Sequence, residues 1–326
     1  MPRLTILICT HDRAQLLSRT LVSLNAAVRP AGWTVDLLVA ANACCDGTHT
    51  LLEQYRRDIA QAGHLPLDWF AEPAPGKSNA LNSALTRIDA DLVAFVDDDH
   101  RVDAAYLTAL CRAADDHPEA GLFCGRILPD WDGSEPGWVH DTGPYRIYPL
   151  PVPRFDQGDE ARELGPEQAV PGGGNLAVLG AWLQRVGRFA TDLGPRGHDL
   201  GGSEDLDWVL RALGLGARLR YVPQMIQHHY VDADRLTLVY LIRKAYKRTA
   251  STVRVESGRD AGLRRVPLYL YRKIGVYGLK AVSALASARR RFYLVRTAAA
   301  LGELAGHLKR GQSAVAASAP RTPTSR

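Results

Sequence analysis

Leu92-Val93-Ala94-Phe95-Val96-Asp97-Asp98-Asp99 decides how this chain is read. Five apolar residues in a row have the length and composition of a strand buried on both faces. Three carboxylates then follow without a spacer. Like charges this close repel, so the run needs compensation. A hard divalent cation, Mg2+ or Mn2+, takes oxygen ligands and bridges carboxylates to substrate phosphates. A solvated acidic turn after a strand is the other reading, and a motif this short does not choose between them.

The neighbouring segments do. Apolar runs over 4–8, 35–40 and 67–70 precede the 92–96 run, and helical patterns over 14–27, 48–62, 77–87 and 104–114 alternate with them. This βαβ rhythm predicts an α/β protein with a parallel sheet. Ligands of such sheets collect at the carboxyl ends of the strands. The residues there, 10–13, 42–48, 72–77 and 97–99, are polar and are expected to open on one crevice.

Each segment has a chemical reading and a structural one. Thr10 offers a hydroxyl, His11 a flat ring for a base, Asp12 a carboxylate for ribose or base, and Arg13 a phosphate-seeking cation. Thr10 or Asp12 also suits a helix cap, and a helix N-terminus is itself an anion site. Asn42 stands ahead of Asp46-Gly47-Thr48, which reads equally as turn and cap. Gly76-Lys77 places a cation before a helix bearing Asn79 and Asn82; no Walker or dinucleotide glycine pattern accompanies it.

A second cluster lies beyond residue 170. Gly172-Gly173-Gly174-Asn175 lets backbone approach a ligand closely. Gly201-Gly202-Ser203-Glu204-Asp205 reads as a turn, a capping serine and acids that complement a helix dipole. Beside the carboxylate triplet, Glu204 and Asp205 also offer a base for an acceptor proton. Tyr221-Val222-Pro223 leads to His228 and His229, which suit either hydrogen-bonded structural roles or completion of a metal shell.

Taken in order, Thr10-His11-Asp12-Arg13, Asn42 with Asp46-Gly47-Thr48, Gly76-Lys77-Ser78-Asn79-Ala80-Leu81-Asn82, Asp97-Asp98-Asp99, Gly173-Gly174-Asn175, Glu204-Asp205, and Tyr221-Val222-Pro223 with His228-His229 resemble family 2 glycosyltransferases. The match covers about residues 3–230. The resemblance implies the GT-A fold of nucleotide-diphospho-sugar transferases, a Rossmann-like, mostly parallel central sheet flanked by helices. It implies that Thr10, His11, Asp12 and Arg13 bind the nucleotide, with Asn42, Asp46, Lys77, Asn82, Asp98, Gly173, Gly174 and Asn175 in the donor pocket. Asp97 and Asp99 would hold the metal and diphosphate, His228 or His229 would face the metal, and Asp205, helped by Glu204, would deprotonate the acceptor hydroxyl with inversion at the sugar. The implied partners are a nucleotide-diphospho-sugar donor and a saccharide, lipid-linked or small-molecule acceptor. Two positions depart from the pattern: Ala41 where many relatives have an acid, and Cys9 where many have proline. The first leaves the nucleotide base open. A nucleotidyltransferase of similar fold is expected to carry a glycine-rich basic loop after the first strand, and 10–13 contains no glycine. A non-catalytic sugar-nucleotide-binding or membrane-scaffold protein has no need of Asp205.

Length and composition set the frame. With 326 residues, 46% hydrophobic and 23% charged, the chain can bury one large core and a smaller second unit, which excludes wholesale disorder. Cys9, Cys44, Cys45, Cys111 and Cys124 form an odd set without a CxxC pair, as expected of reduced thiols in the cytoplasm. No leader-like N-terminal segment is seen, and no uncharged apolar run reaches the roughly 18 residues of a membrane span.

The net charge of +5 hides an asymmetry: residues 1–235 carry 21 Lys and Arg against 32 Asp and Glu, residues 236–326 carry 19 against 3. The reading is a catalytic domain over 1–235, a basic amphipathic helical extension over 236–310 and a disordered tail over 311–326. Tyr271, Ile274, Gly278, Ala281 and Leu285 form a helical stripe beside Arg272, Lys273 and Lys280, and Arg289, Arg290 and Arg291 follow. Such helices lie on anionic membrane surfaces, so peripheral attachment to the cytoplasmic face is expected. Nucleic acid is not, because the aromatics of this region suit helix packing better than base stacking. The long loop between Gly125 and Gly172, with Trp131, Trp138, Tyr145 and Tyr148, is expected to act as an acceptor-side lid. Homo-oligomerisation stays open.

Overall fold

The computed structural model describes residues 1–167, 171, 173–191, 204–258 and 266–318, without the side chains of 60–62, 251–258 and 309–318. The chain divides into two units: one spans 1–130 and 153–230, the other 131–152 and 231–326.

In the first unit, β1 (Arg3–Thr10), β2 (Thr34–Asn42), β3 (Leu67–Glu72) and β4 (Leu92–Val96) fall where the apolar runs lie. The intervening helices are α1 (Ala14–Ala26), α2 (Thr48–Ala62), α3 (Lys77–Leu85) and α4 (Tyr106–Asp116). Alternation of side chains along β1 sends Leu4, Ile6 and Ile8 into one core and Leu7 into another; β2 does the same with Leu37, Val39 and Ala41 against Leu38. The sheet is thus covered on both faces, which is why these strands read as unbroken apolar runs.

The strand order is β3-β2-β1-β4-β8-β6-β9-β5, with β5 His100–Val102, β6 Leu122–Asp130, β8 Asn175–Leu179 and β9 Leu219–Tyr230; β7 (Arg162–Leu164) pairs with β9. Pairing is parallel across β3, β2, β1 and β4. Beyond β4 the sheet is mixed: β8 runs antiparallel to both β4 and β6, while β6 and β9 are parallel. This reversal builds the site. Because β8 is antiparallel, its first residue, Asn175, lies opposite Val96, the last of β4. The glycines before Asn175 are therefore delivered to the carboxyl end of β4, where the aspartates begin. Likewise β5 pairs antiparallel with the end of β9 and sets His100 opposite His229. The β6–β9 register shifts at Gly125, where a Cβ would sit 1.9 Å from the Met225 carbonyl oxygen, so only glycine fits.

Two further helices of the first unit are α5 (Gly180–Val186) and α6 (Glu204–Gly214). The second unit contains α7 (Leu238–Gly258), α8 (Tyr269–Val282) and α9 (Ser287–Ser318). The last helix runs seven residues past Gly311, into the stretch expected to be disordered; 319–326 lie outside the described residues. Residues 131–152 belong to this unit rather than to the catalytic body. Val139, Val152 and Leu236 form its small core with Trp131, Trp138 and Leu150, and Arg291 pairs with Asp141 at 2.8 Å. Helices α7 and α9 approach closely at Gly302, whose absent Cβ would meet the Tyr246 carbonyl at 2.2 Å. No described helix is long and apolar enough to cross a membrane.

Candidate active site

The carboxyl ends of β1, β2 and β4 are laced together by side chains from the expected segments. Arg13, at the start of α1, reaches across to Asp98 (3.1 Å) and Asp99 (2.9 Å). Asp12 holds a positive φ of 50° and accepts hydrogen bonds from the backbone N–H groups of Cys45 (2.6 Å) and Asp46 (3.1 Å). Asp46 in turn accepts from the N–H of Ala14 and Thr48, both at 3.0 Å, so it caps the first turns of two helices. Asn42 is 5% exposed, donates to the carbonyls of Glu72 and Ala74, and accepts from Gly76 N–H at 2.8 Å. Its work is to join the β2 and β3 loops. His11 Nδ1 donates to the Asn42 carbonyl at 2.7 Å, and Thr10 is buried.

The aspartate triplet splits three ways. Asp97 accepts from Lys77 Nζ at 2.9 Å, and the same ammonium lies 3.7 Å from Asp205 Oδ2. One cation therefore sits between the first aspartate and the residue expected to be the base. Burial opposes ionisation of Asp97, yet Lys77 and then His100 hold its carboxyl below the usual range. Asp98 is nearly enclosed; burial first, then Asp99, push it up to about 6, with Arg13 pulling the other way. Lys77 stays firmly protonated because the attraction of Asp205 and Asp97 outweighs its burial.

Two histidines face Asp99. His100 Nε2 is 3.8 Å from Asp99 and 3.9 Å from Asp97; His229 Nε2 is 3.7 Å from Asp99. The donor atoms of Asp99, His100 and His229 all lie within 4.8 Å of one another. Their tautomers are set from behind. Gln227 spends its amide N–H groups on Tyr106 and Asn175, so its Oε1 accepts from His100 Nδ1 at 2.6 Å. His229 Nδ1 donates to the Tyr230 carbonyl at 2.5 Å. Both rings thus spend Nδ1 on a protein acceptor and turn Nε2 toward Asp99; in the neutral imidazole that nitrogen carries the lone pair that binds a metal. Burial pushes the His229 pKa down, which keeps that lone pair available. Carboxylates with two such imidazoles make a donor set that fits a divalent cation.

Glycine is required beside both halves. A Cβ on Gly174 would lie 2.6 Å from Asp97 Oδ2 and 2.6 Å from His100 Cε1, and one on Gly173 would lie 2.3 Å from the Asp205 carboxylate. Gly173 N–H donates to Asp205 Oδ2 at 3.0 Å. Asp205 and Glu204 open α6 (Glu204–Gly214), and the expected capping turn ahead of them lies outside the described residues. Burial, Glu204 and Asp97 raise the Asp205 pKa against the opposing pull of Lys77. A carboxylate so placed is a stronger proton acceptor than a solvated one.

The model for the family described as "Glycosyl transferase family 2" matches residues 5–184, more than half of the chain. The chain belongs to that family. It is a glycosyltransferase with the GT-A fold. Succinoglycan biosynthesis protein ExoM of Rhizobium meliloti (strain 1021) is 25% identical over 260 residues, 79% of this chain and 76% of its own. Similar folds are found in S. aureus TarS 1-349 (TM-score 0.54, 15% identity, 95% of this chain and 92% of that one). They are found also in the mannosyltransferase PcManGT from Pyrobaculum calidifontis, solved with GDP-Man and Mn2+ (TM-score 0.54, 18% identity, 96% and 88%).

Within this family 2 transferase, the structure separates residues that the sequence pattern grouped. Adjacent strand residues point to opposite faces, so His229 joins the Asp99 cluster while His228 turns toward Asp103, 3.9 Å away. His228 is thereby removed from the metal-facing pair. Asn82 is bound at both ends of its amide to the Phe189 backbone, at 3.0 and 2.8 Å. Asn175 is fully buried and ties the Arg126 and Met225 carbonyls together. These two asparagines organise the pocket wall; their polar atoms face protein. His100 and Gln227 were missed. His100 adjoins the triplet in sequence and shares the alternation of Asp98, which was the available signal; Gln227 offered only its place in an otherwise apolar strand.

Proposed function

We propose that the enzyme moves a sugar from a nucleotide-diphospho-sugar to an acceptor hydroxyl, with inversion and with the help of Mn2+ or Mg2+. The observation that carries this reading is the Lys77 ammonium held between Asp97 and Asp205, which brings a donor-side and an acceptor-side carboxylate to one point. The pairing of PcManGT with GDP-Man and Mn2+, and of TarS with UDP-GlcNAc, supports the donor class. The name of ExoM supports a role in building a polysaccharide or glycoconjugate.

Asp97, Asp99, His229 and His100 would hold the cation, whose chemistry is to neutralise charge that grows on the departing diphosphate. Lys77 adds a second positive charge on the same side. Arg13, already fixed on Asp98 and Asp99, carries a cation to the nucleotide end of the pocket, where His11 offers a ring to the base. Asp205, oriented by Gly173 N–H, takes the proton of the acceptor hydroxyl as its oxygen attacks the anomeric carbon from the face opposite the diphosphate. The proton ends on the Asp205 carboxylate and the electron pair of the broken bond on the phosphate oxygen. Asp205→Asn should retain donor binding in calorimetry and lose transfer. Undiminished transfer by that variant would remove the assignment, and donor binding without any cation by an Asp97→Asn, Asp99→Asn double variant would remove the metal.

A second reading concerns location. In α8 and its flanks, Leu268, Leu279, Val282 and Leu285 are between 71% and 101% exposed, with Arg272 and Lys280 on the same helix. An apolar stripe edged with cations suits an anionic lipid surface. We therefore place the enzyme on the cytoplasmic face of a membrane, and sedimentation with vesicles that ignores their anionic lipid content would refute it.

A further inference from the structure

Behind the cation-facing histidines stand a glutamine and an asparagine, Gln227 and Asn175, both 0% exposed. Two buried amides are unfavourable unless their polar atoms are paired, and here the pairing has one solution. Asn175 Nδ2 lies 2.8 Å from the Arg126 carbonyl and 3.0 Å from the Met225 carbonyl. A carbonyl only accepts, so that end of the amide is the NH2 group and Oδ1 points the other way. Oδ1 meets Gln227 at 3.2 Å and needs a donor there, which fixes the position of Gln227 Nε2; the Phe95 carbonyl at 3.4 Å requires the same end. Gln227 Oε1 is left for His100 Nδ1 at 2.6 Å, and an amide oxygen has no proton to give. His100 must therefore carry a proton on Nδ1. Two main-chain carbonyls dictate, through two amides, the tautomer of a ring whose Nε2 faces Asp99 at 3.8 Å. A solvated neutral histidine favours the opposite, Nε2–H form, so the fold reverses an intrinsic preference.

We propose that Gln227 and Asn175 are positioning residues that make His100 a second nitrogen ligand beside His229, and that this pair of imidazoles makes the centre take Mn2+ in preference to Mg2+. The inference rests on the metal-dependent transferase reading and narrows its cation. The β5–β9 pairing sets His100 opposite His229, with ring centroids 4.9 Å apart, and the donor atoms of both lie within 4.8 Å of those of Asp99. Gln227 precedes His229 by two residues on β9 and so shares its face, which lets one strand supply one ligand and the support of the other. Mg2+ is held by oxygen and gives up its water reluctantly, whereas imidazole nitrogen suits first-row transition metals. Each nitrogen that replaces an oxygen therefore favours Mn2+ over Mg2+.

The test uses the full chain, with Mn2+ and Mg2+ as separate arms in calorimetry. Mn2+ should bind at least about 30-fold tighter than Mg2+. Pulsed electron paramagnetic resonance of the Mn2+-loaded chain should show two nitrogen ligands, and His100→Leu should leave one. Gln227→Met keeps the volume and removes the acceptor; it should weaken Mn2+ by roughly 10- to 100-fold and leave Mg2+ within about threefold. In a His100→Leu background the same substitution should cost Mn2+ less than about threefold, because the relay then ends on no ligand. A glutamine with a merely structural role would cost Mn2+ affinity equally in both backgrounds. A further measurement needs no relay variant to fold: nitrogen NMR of the metal-free parent at about pH 9, where imidazole is neutral, should show His100 as the Nδ1–H form, assigned by the signals that His100→Leu lacks. A single nitrogen around Mn2+ in the parent, an Nε2–H form at His100, equal affinity for the two metals, or an equal cost of Gln227→Met in both backgrounds would each overturn the proposal. Any of these results with cation-dependent transfer intact sinks this inference only. Full transfer by the parent in the presence of a chelator sinks the metal-dependent reading itself.

Discussion

Gly173→Ala isolates the geometry of the base from its chemistry. The backbone of Gly173 is outside the left-handed region, so alanine is conformationally acceptable and the cost is contact alone. Its Cβ would stand 2.3 Å from the Asp205 carboxylate, where ordinary contact begins at 3.4 Å; the carboxylate must retreat by the difference, 1.1 Å. That shift also stretches the 3.0 Å hydrogen bond from Gly173 N–H. A misplacement of about 1 Å in a reacting group costs on the order of 100-fold in rate. We expect kcat to fall roughly 100-fold, with the donor KM within about threefold, because donor contacts stay in place. In an Asp205→Asn background the same substitution should cost less than about threefold, since the base is already gone. Initial-rate kinetics with saturating donor and acceptor give both numbers. A Gly173→Ala enzyme with kcat within about threefold of the parent would refute the placement of the base.

Four further outcomes follow from the same geometry. His229→Ala should weaken Mn2+ binding by roughly tenfold or more in calorimetry, and His228→Ala should leave it unchanged; the reverse order would mean that the strand faces are wrongly assigned. Lys77→Gln removes a positive charge from beside Asp97, so the free enzyme should bind Mn2+ several-fold tighter while turnover falls, and weaker Mn2+ binding would contradict the competition between the two cations. The base must be ionised to work, and its folded pKa is raised, so activity should be lost as pH falls through a point above the usual value of about 3.9; a pH–rate profile whose acid limb lies at or below that value would exclude Asp205. Asn175→Ala orphans the Arg126 and Met225 carbonyls in a buried position and should cost about 3 kcal/mol in denaturant titration, whereas unchanged stability would reassign it from scaffold to ligand contact.

The parallel half of the sheet was legible because strands buried on both faces must be apolar throughout, and 4–8, 35–40, 67–70 and 92–96 are. The positions of Arg13, Asp97, Asp99, Lys77 and Asp205 were legible too, since all lie at strand ends or helix starts where an α/β sheet collects ligands. What each residue does there was not. Asp46 and Asn42 look like ligand contacts in the sequence, yet in the fold they are spent on helix caps and loop ties. Apart from Thr48, two residues from Asp46, the acceptors and donors that claim them come from residues 14, 72, 74 and 76, distant in the chain.

Local pattern alone determined the first four long strands, the helices between them and the acidic and basic division of the chain, because periodicity and charge are carried by neighbours in sequence. Tertiary structure alone decided that β8 runs backward beside β4, that Gly173 and Gly174 meet Asp205 and Asp97, and that residues 131–152 leave the catalytic body for the C-terminal unit. It also chose His229 over His228 and recruited His100, since the face a strand residue takes depends on pairing register. Register is set by which partner strand buries the most apolar surface, and that is a property of the whole fold.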